Sequence, residues 1–211
     1  MATTQSSGRP TWLTILVVIL CLLAFAPPAF AGGGNVLPAT AQAKGYSLAE
    51  AAAATAYFNT GPRTPDTLLA GFPFQILYVD VNGEPETFYV RPGTMFYVPV
   101  VYSDDTDGQY WAFPNVNDPQ AVAAYYFDPL QLGAESITIE VDGSVTSLGP
   151  GYAVGTETPG LPSGGNAYTV VGAFLTPLSK GTHTVTIHAY LSGAFIGGVF
   201  EFTTSYTVVV G

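Results

Sequence analysis

Three carboxylates packed around one glycine form the sharpest chemical pattern in this sequence: Asp104, Asp105 and Asp107, closed by Gly108. Oxygen ligands on so short a loop suit a hard cation, because Ca²⁺ gathers about six to eight of them. Asp80, with Asn82 and Glu84 close behind it, supplies more if the fold brings the two loops together. The distal glutamate of an EF-hand is missing at the required spacing. Asp and Gly also accumulate in loops for backbone reasons alone, so the same residues read as a solvated acidic surface. Calcium is thus a candidate cofactor, with Asp80, Asp104, Asp105 and Asp107 as its candidate ligands.

Aromatic residues crowd the same region. Tyr110 and Trp111, followed by Tyr125 and Tyr126, offer ring faces beside Asp and Asn side chains. That is what a sugar-binding surface needs, since apolar ring faces stack and hydroxyls find acceptors. The competing reading makes the rings a plug beneath a long loop, because large aromatics are usually well buried.

His183 and His188 are five residues apart in one alternating run. Odd spacing on a strand puts them on opposite faces, so they share no metal. A Ser-His-Asp set can assemble from distant positions, but no Gly-x-Ser-x-Gly pentapeptide singles out a nucleophile. Paired carboxylates for glycoside hydrolysis are equally unmarked among fifteen acids. The expectation is a protein without catalytic residues, with a carboxylate-dependent hydrolase as the alternative.

Charge narrows the partners. Five Lys and Arg face 15 Asp and Glu, a net charge of −10. A chain so acidic is repelled by phosphate backbones and anionic lipid, which argues against nucleic acid and membrane surfaces. The N-terminus points to export. Arg9 precedes the apolar run Trp12 to Ala26, and Pro27, Pro28 and Ala29-Phe30-Ala31 follow. Basic, apolar and small-residue regions in that order read as a signal peptide over residues 1–31. A spanning helix wants roughly 20 apolar residues, so no membrane insertion is expected after cleavage. The sole cysteine, Cys21, falls inside that segment, which leaves the rest to rely on its hydrophobic core rather than on disulfides. A secreted, periplasmic or cell-surface location follows.

The elements that would position these groups are mostly strands. Residues 32–70 read as a flexible leader and one short helix, opened by the capping box Ser47-Leu48-Ala49-Glu50. The helix would dock through Leu48, Tyr57 and Phe58. Residues 71–211 read as the β domain. Phe72 to Val81 and Glu86 to Arg91 flank Asn82-Gly83 like the arms of a hairpin. Pro99, inside the run Thr94 to Tyr102, belongs at an edge or a bulge. Asp118-Pro119 caps a turn or two of helix over Gln120 to Phe127. Glu135 to Asp142, Ser144 to Leu148, Tyr168 to Leu175, Thr182 to Leu191 and Val199 to Val210 complete the strands, with a Gly/Pro-rich loop over 149–166. The expected fold is all-β, a two-sheet sandwich with a short N-terminal helix.

Pro177 to Ile187 (PLSKGTHTVTI) and the closing Tyr206-Thr-Val-Val-Val210 resemble the last strands of bacterial extracellular Ig-like domains. The resemblance implies an antiparallel, Ig-like Greek-key sandwich in an extracellular setting. Such domains differ widely in role, so it carries over no functional residue. The function expected is non-catalytic: a secreted module that binds or scaffolds a glycan or an extracellular protein, with a purely structural envelope protein as a further alternative.

Overall fold

The computed structural model describes residues 34–63, 71–79, 87–106 and 112–211. Two kinds of strand sequence produce two kinds of sheet. β4 (Ala134–Val141), β5 (Ser144–Ser147), β8 (Gly181–Leu191) and β9 (Phe200–Val210) alternate apolar and polar residues. With β2 (Thr87–Val90) they form a five-stranded sheet in the order β2-β9-β8-β4-β5. Ile137, Ile139, Val185, Ile187, Tyr206 and Val208 are buried on one side, and the intervening polar residues face outward. β3 (Phe96–Asp104) and β7 (Ala167–Leu175) are instead buried along almost their whole length. They lie in a four-stranded sheet, β1-β3-β7-β6, with β1 at Gln75–Ile76 and β6 at Ala153–Glu157. An apolar run without alternation is what burial on both faces requires.

The main core joins the two sheets, with Phe96, Val98 and Val171 from one and Ile139, Val185 and Val208 from the other. The far side of the four-stranded sheet is covered by helix α1 (Leu48–Thr60). Ser47 and Glu50 close the capping box as the sequence predicts. Small residues then do most of the docking: Ala51, Ala52, Ala54 and Ala56 are buried with Leu48 and Phe58. Tyr57 stays partly exposed and anchors through its hydroxyl, which donates to the Pro159 carbonyl. Helix α2 (Pro119–Phe127) also starts where expected, with Asp118 accepting from the Gln120 and Ala121 amides.

Several expectations need correction. Both sheets are mixed rather than purely antiparallel, because β1 pairs in parallel with β3 and β2 in parallel with β9. The expected hairpin arms therefore lie in different sheets, and the Asn82-Gly83 turn lies outside the described residues. Phe72 and Phe74 join Tyr46, Tyr97 and Phe174 on the helix-covered face, whereas Phe88 packs between Tyr78 and Tyr206. The segment read as a flexible leader is tied down from Asn35 onward. Leu37 donates to the Phe174 carbonyl at 2.9 Å, Thr176 to Asn35 at 2.7 Å, and Val36 bridges Leu175 and enters the core.

Pro99 does sit at a bulge: the β3–β7 register shifts between Pro99 and Val101. Gly172 opposite it makes the bulge possible, since a Cβ there would meet the Val98 carbonyl oxygen at 2.9 Å. β6 lies inside the stretch that reads as a Gly/Pro-rich loop. Its sequence, Ala-Val-Gly-Thr-Glu, lacks periodicity, and it pairs with β7. A side chain at Gly155 would strike the Val116 backbone at 2.9 Å. No helix of the described residues is long and apolar enough to cross a membrane.

Candidate functional site

The inner apolar face of β9 runs past the point where the core closes over it. Tyr206, Val208 and Val210 are buried, Phe202 is half-buried, and Phe200 is 48% exposed. The Phe200 and Phe202 rings lie 5.7 Å apart. Across from them β1 has already ended, at Ile76. A cavity of about 350 Å³ opens between the sheets at this margin. Leu77, Val79, Ile187, Phe200 and Phe202 give it apolar walls.

Its polar groups come from the end of α1, from β3 and, through Thr204 and Tyr206, from β9. Arg63 has a left-handed backbone, φ 55°, a conformation that side chains larger than Asn seldom adopt. Its Nη1 donates to the Val79 carbonyl at 3.2 Å and its Nη2 to the Tyr102 hydroxyl. Among the described residues no carboxylate pairs with Arg63. Asn59, also on the wall, donates from Nδ2 to the buried Tyr168 hydroxyl at 2.7 Å. Burial pushes the Tyr206 phenol up to about 12, with the nearby Arg63 charge opposing the rise. Apolar walls with a few convergent polar groups are the general make-up of small-molecule sites.

No family model, curated protein or solved structure matches the chain. The site therefore has to be read from its own residues.

The carboxylates expected to hold calcium are tied to local backbone where they can be seen. Asp104 is buried and accepts from the Thr106 amide at 2.9 Å and from the Thr106 hydroxyl. Asp105 Oδ1 accepts from the Asn166 and Ala167 amides at 2.7 and 3.2 Å. These bonds stitch the acidic loop to the start of β7. Asp80 and Asp107 lie outside the described residues, as do Tyr110 and Trp111. Among the described residues no three His, Cys, Asp or Glu gather as a metal site would need.

Tyr125 and Tyr126 do not form an exposed ring face. Both are buried in the core, because α2 turns them inward beside Val122. The Tyr125 hydroxyl lies 3.0 Å from Ser103 Oγ, and that of Tyr126 lies 2.9 Å from Thr169 Oγ1. These rings plug the core, the competing reading of the sequence.

The two histidines face opposite ways. His188 lies on the outer face, with Nε2 at 3.2 Å from Glu201 Oε1. His183 meets Asp142 Oδ2 through Nδ1 at 2.6 Å, and its Nε2 lies 2.8 Å from the Ser179 carbonyl and 3.4 Å from Ser179 Oγ. Serine, histidine and aspartate are thus assembled, but not for nucleophilic attack. A general base needs a free Nε2 lone pair facing the serine hydroxyl. Here both ring nitrogens face acceptors, which favours the doubly protonated imidazolium. The hydrogen bond to Asp142 raises the His183 pKa above its ordinary value, helped by the Ser179 carbonyl, and the same bond lowers that of Asp142. The trio is a clamp between the β4–β5 and β7–β8 turns.

Arg63, Phe200 and Phe202 were absent from the candidates read in the sequence. One signal did exist: Phe200 and Phe202 share the parity of Tyr206, Val208 and Val210 at the end of a strand bordered by glycines.

Proposed function

We propose that this chain is an extracellular, non-catalytic binding module, an Ig-like Greek-key β-sandwich that captures its ligand in the cavity between its sheets. The observation that carries the reading is the cavity of about 350 Å³, walled by Phe200 and Phe202 with Arg63 and Tyr102 at one side. Its volume falls at the low end of the roughly 300–1,000 Å³ typical of small-molecule sites. Export is supported by the signal-peptide pattern of residues 1–31. The clamped state of His183 supports binding over hydrolysis.

A thermal-melt screen of the full chain against small-molecule and glycan panels tests the proposal. A ligand at a hundred times its Kd stabilises by about 2.7 kcal/mol, enough to raise the melting temperature by several degrees. Such a shift should vanish in a Phe200→Ser, Phe202→Ala double variant. A shift of equal size in both proteins moves the site elsewhere and rejects the cavity.

A second reading places a glycan or an extracellular protein on the outer face of the five-stranded sheet. Rungs of polar side chains favour it: Thr87, Thr207 and Thr184 lie in one row, and Thr203, His188 and Thr138 in another. Tyr89 adds a ring that is 79% exposed. A Tyr89→Ala variant that loses glycan-dependent stabilisation would select this face.

A further inference from the structure

We propose that the cavity takes an apolar molecule ending in a carboxylate, with the charged end on the Arg63 guanidinium and the apolar body against Phe200 and Phe202. The inference rests on reading the cavity as the binding site and names what enters it. Arg63 is one of only five Lys and Arg residues in a chain of net charge −10. Placing one of them on the wall of an apolar cavity, on a left-handed backbone, calls for an anion. Its bonds to the Val79 carbonyl and the Tyr102 hydroxyl fix the direction of the guanidinium. They involve one hydrogen on each of two nitrogens, and a guanidinium carries five N–H donors in a planar fork that matches a carboxylate.

The body of the ligand follows from the apolar part of the lining. The side chains of Leu77, Ile187, Phe200 and Phe202 offer no donor or acceptor, and β9 adds only the Thr204 and Tyr206 hydroxyls. A sugar acid carries hydroxyls all around its ring, more than these few polar groups can pair, and burying the remainder costs free energy. A short alkyl chain or a single aromatic ring has no such groups. It would gain about 25 cal/mol for each Å² of apolar surface removed from water.

Titration calorimetry on the full chain separates the components. Octanoate, octan-1-ol and glucuronate are compared on the wild type, Arg63→Gln, Arg63→Lys and Phe200→Ser, with a melt of each variant to verify folding. Octanoate should bind at least about tenfold more tightly than octan-1-ol, the worth of one charge-assisted bond. Arg63→Gln should erase that preference without weakening octan-1-ol, and Arg63→Lys should keep part of it. Phe200→Ser should weaken both apolar probes. Equal affinity for acid and alcohol, or octanoate binding untouched by Arg63→Gln, overturns the carboxylate assignment while the cavity remains a binding site. Preferential binding of glucuronate overturns the apolar class alone. Failure of all three probes to bind overturns this inference and the cavity reading together.

Discussion

His183 and Asp142 meet at 2.6 Å between imidazole Nδ1 and carboxylate Oδ2, joining a strand start to a turn 41 residues earlier in sequence. The Asp142 side chain also accepts from the Thr184 amide at 2.9 Å, so one carboxylate fixes both the turn and the register of β8.

The pair makes stability depend on pH. The His183 pKa is raised from 6.5, so its contribution is fully present below that value and is lost as pH rises through the higher folded one. The Asp142 pKa is lowered from 3.8, so its share is present above 3.8 and is lost as pH falls through the lower folded value. Both shares hold between about pH 4 and 6.5. Solvent reaches Asp142, whose side chain is 47% exposed, so the pair should contribute no more than about 0.2–1 kcal/mol. Melts at pH 5.5 and 8.5 should show the wild type losing more stability than His183→Gln. Identical losses would dismiss the clamp.

Two buried tyrosines should respond oppositely to losing their hydroxyls. Among the described residues the buried Tyr97 hydroxyl has no hydrogen-bond partner, although Thr55 lies near enough to temper the rise that burial imposes on its pKa. Thr55 instead donates to the Ala51 carbonyl at 2.9 Å. Tyr97→Phe should leave stability unchanged or raise it. Tyr168→Phe strands the Asn59 amide and should cost about 1–3 kcal/mol. Urea unfolding of the two variants supplies the comparison, and a Tyr97→Phe cost equal to that of Tyr168→Phe would refute it.

Gly172 has no room for a side chain. An alanine there meets the Val98 carbonyl oxygen at 2.9 Å and the Pro99 Cα at 3.2 Å, within a sheet buried on both faces. Gly172→Ala should destabilise by about 1–3 kcal/mol. Gly149→Ala, where nothing lies within 4 Å, should be nearly silent in the same denaturation series.

Asp105 tests the acidic loop. Its Oδ1 caps the Asn166 and Ala167 amides, so Asp105→Ala should cost about 1–2 kcal/mol by analogy with other backbone caps. That loss should be the same in EDTA and in millimolar Ca²⁺. A calcium-dependent gain in the wild type that Asp105→Ala abolishes would instead return the loop to the role of a cation site.

Much of the scaffold is legible along the chain, and the reasons are local. Ser47 with Glu50, and Asp118 before Pro119, mark helix starts because capping chemistry acts within three residues. β4, β8 and β9 announce themselves by alternation because one face meets water. β6 is silent because its place is set by β7 and by the close approach of Val116, neither nearby in sequence. The site is less legible still. For Asp104 and Asp105 the sequence shows the carboxylates and not the backbone amides they accept from. Arg63 gives no sign of its surroundings, which are assembled from the end of a helix, the margin of β3 and the far end of β9.

The parallel pairing of β2 with β9 also sets an order of events. Thr87 to Val90 align with Thr207 to Val210, and Phe88 rests on Tyr206, so an early strand finds its neighbour only in the final residues of the sequence given. Contacts of such long separation form late, because the intervening chain must first be closed into a loop. A chain that emerges from its N-terminus first therefore cannot seal this edge until β9 has cleared the machinery that delivers it. Until then Phe88 has Tyr78 but not Tyr206 to rest on, and this edge of the five-stranded sheet stays open to any other strand that reaches it first.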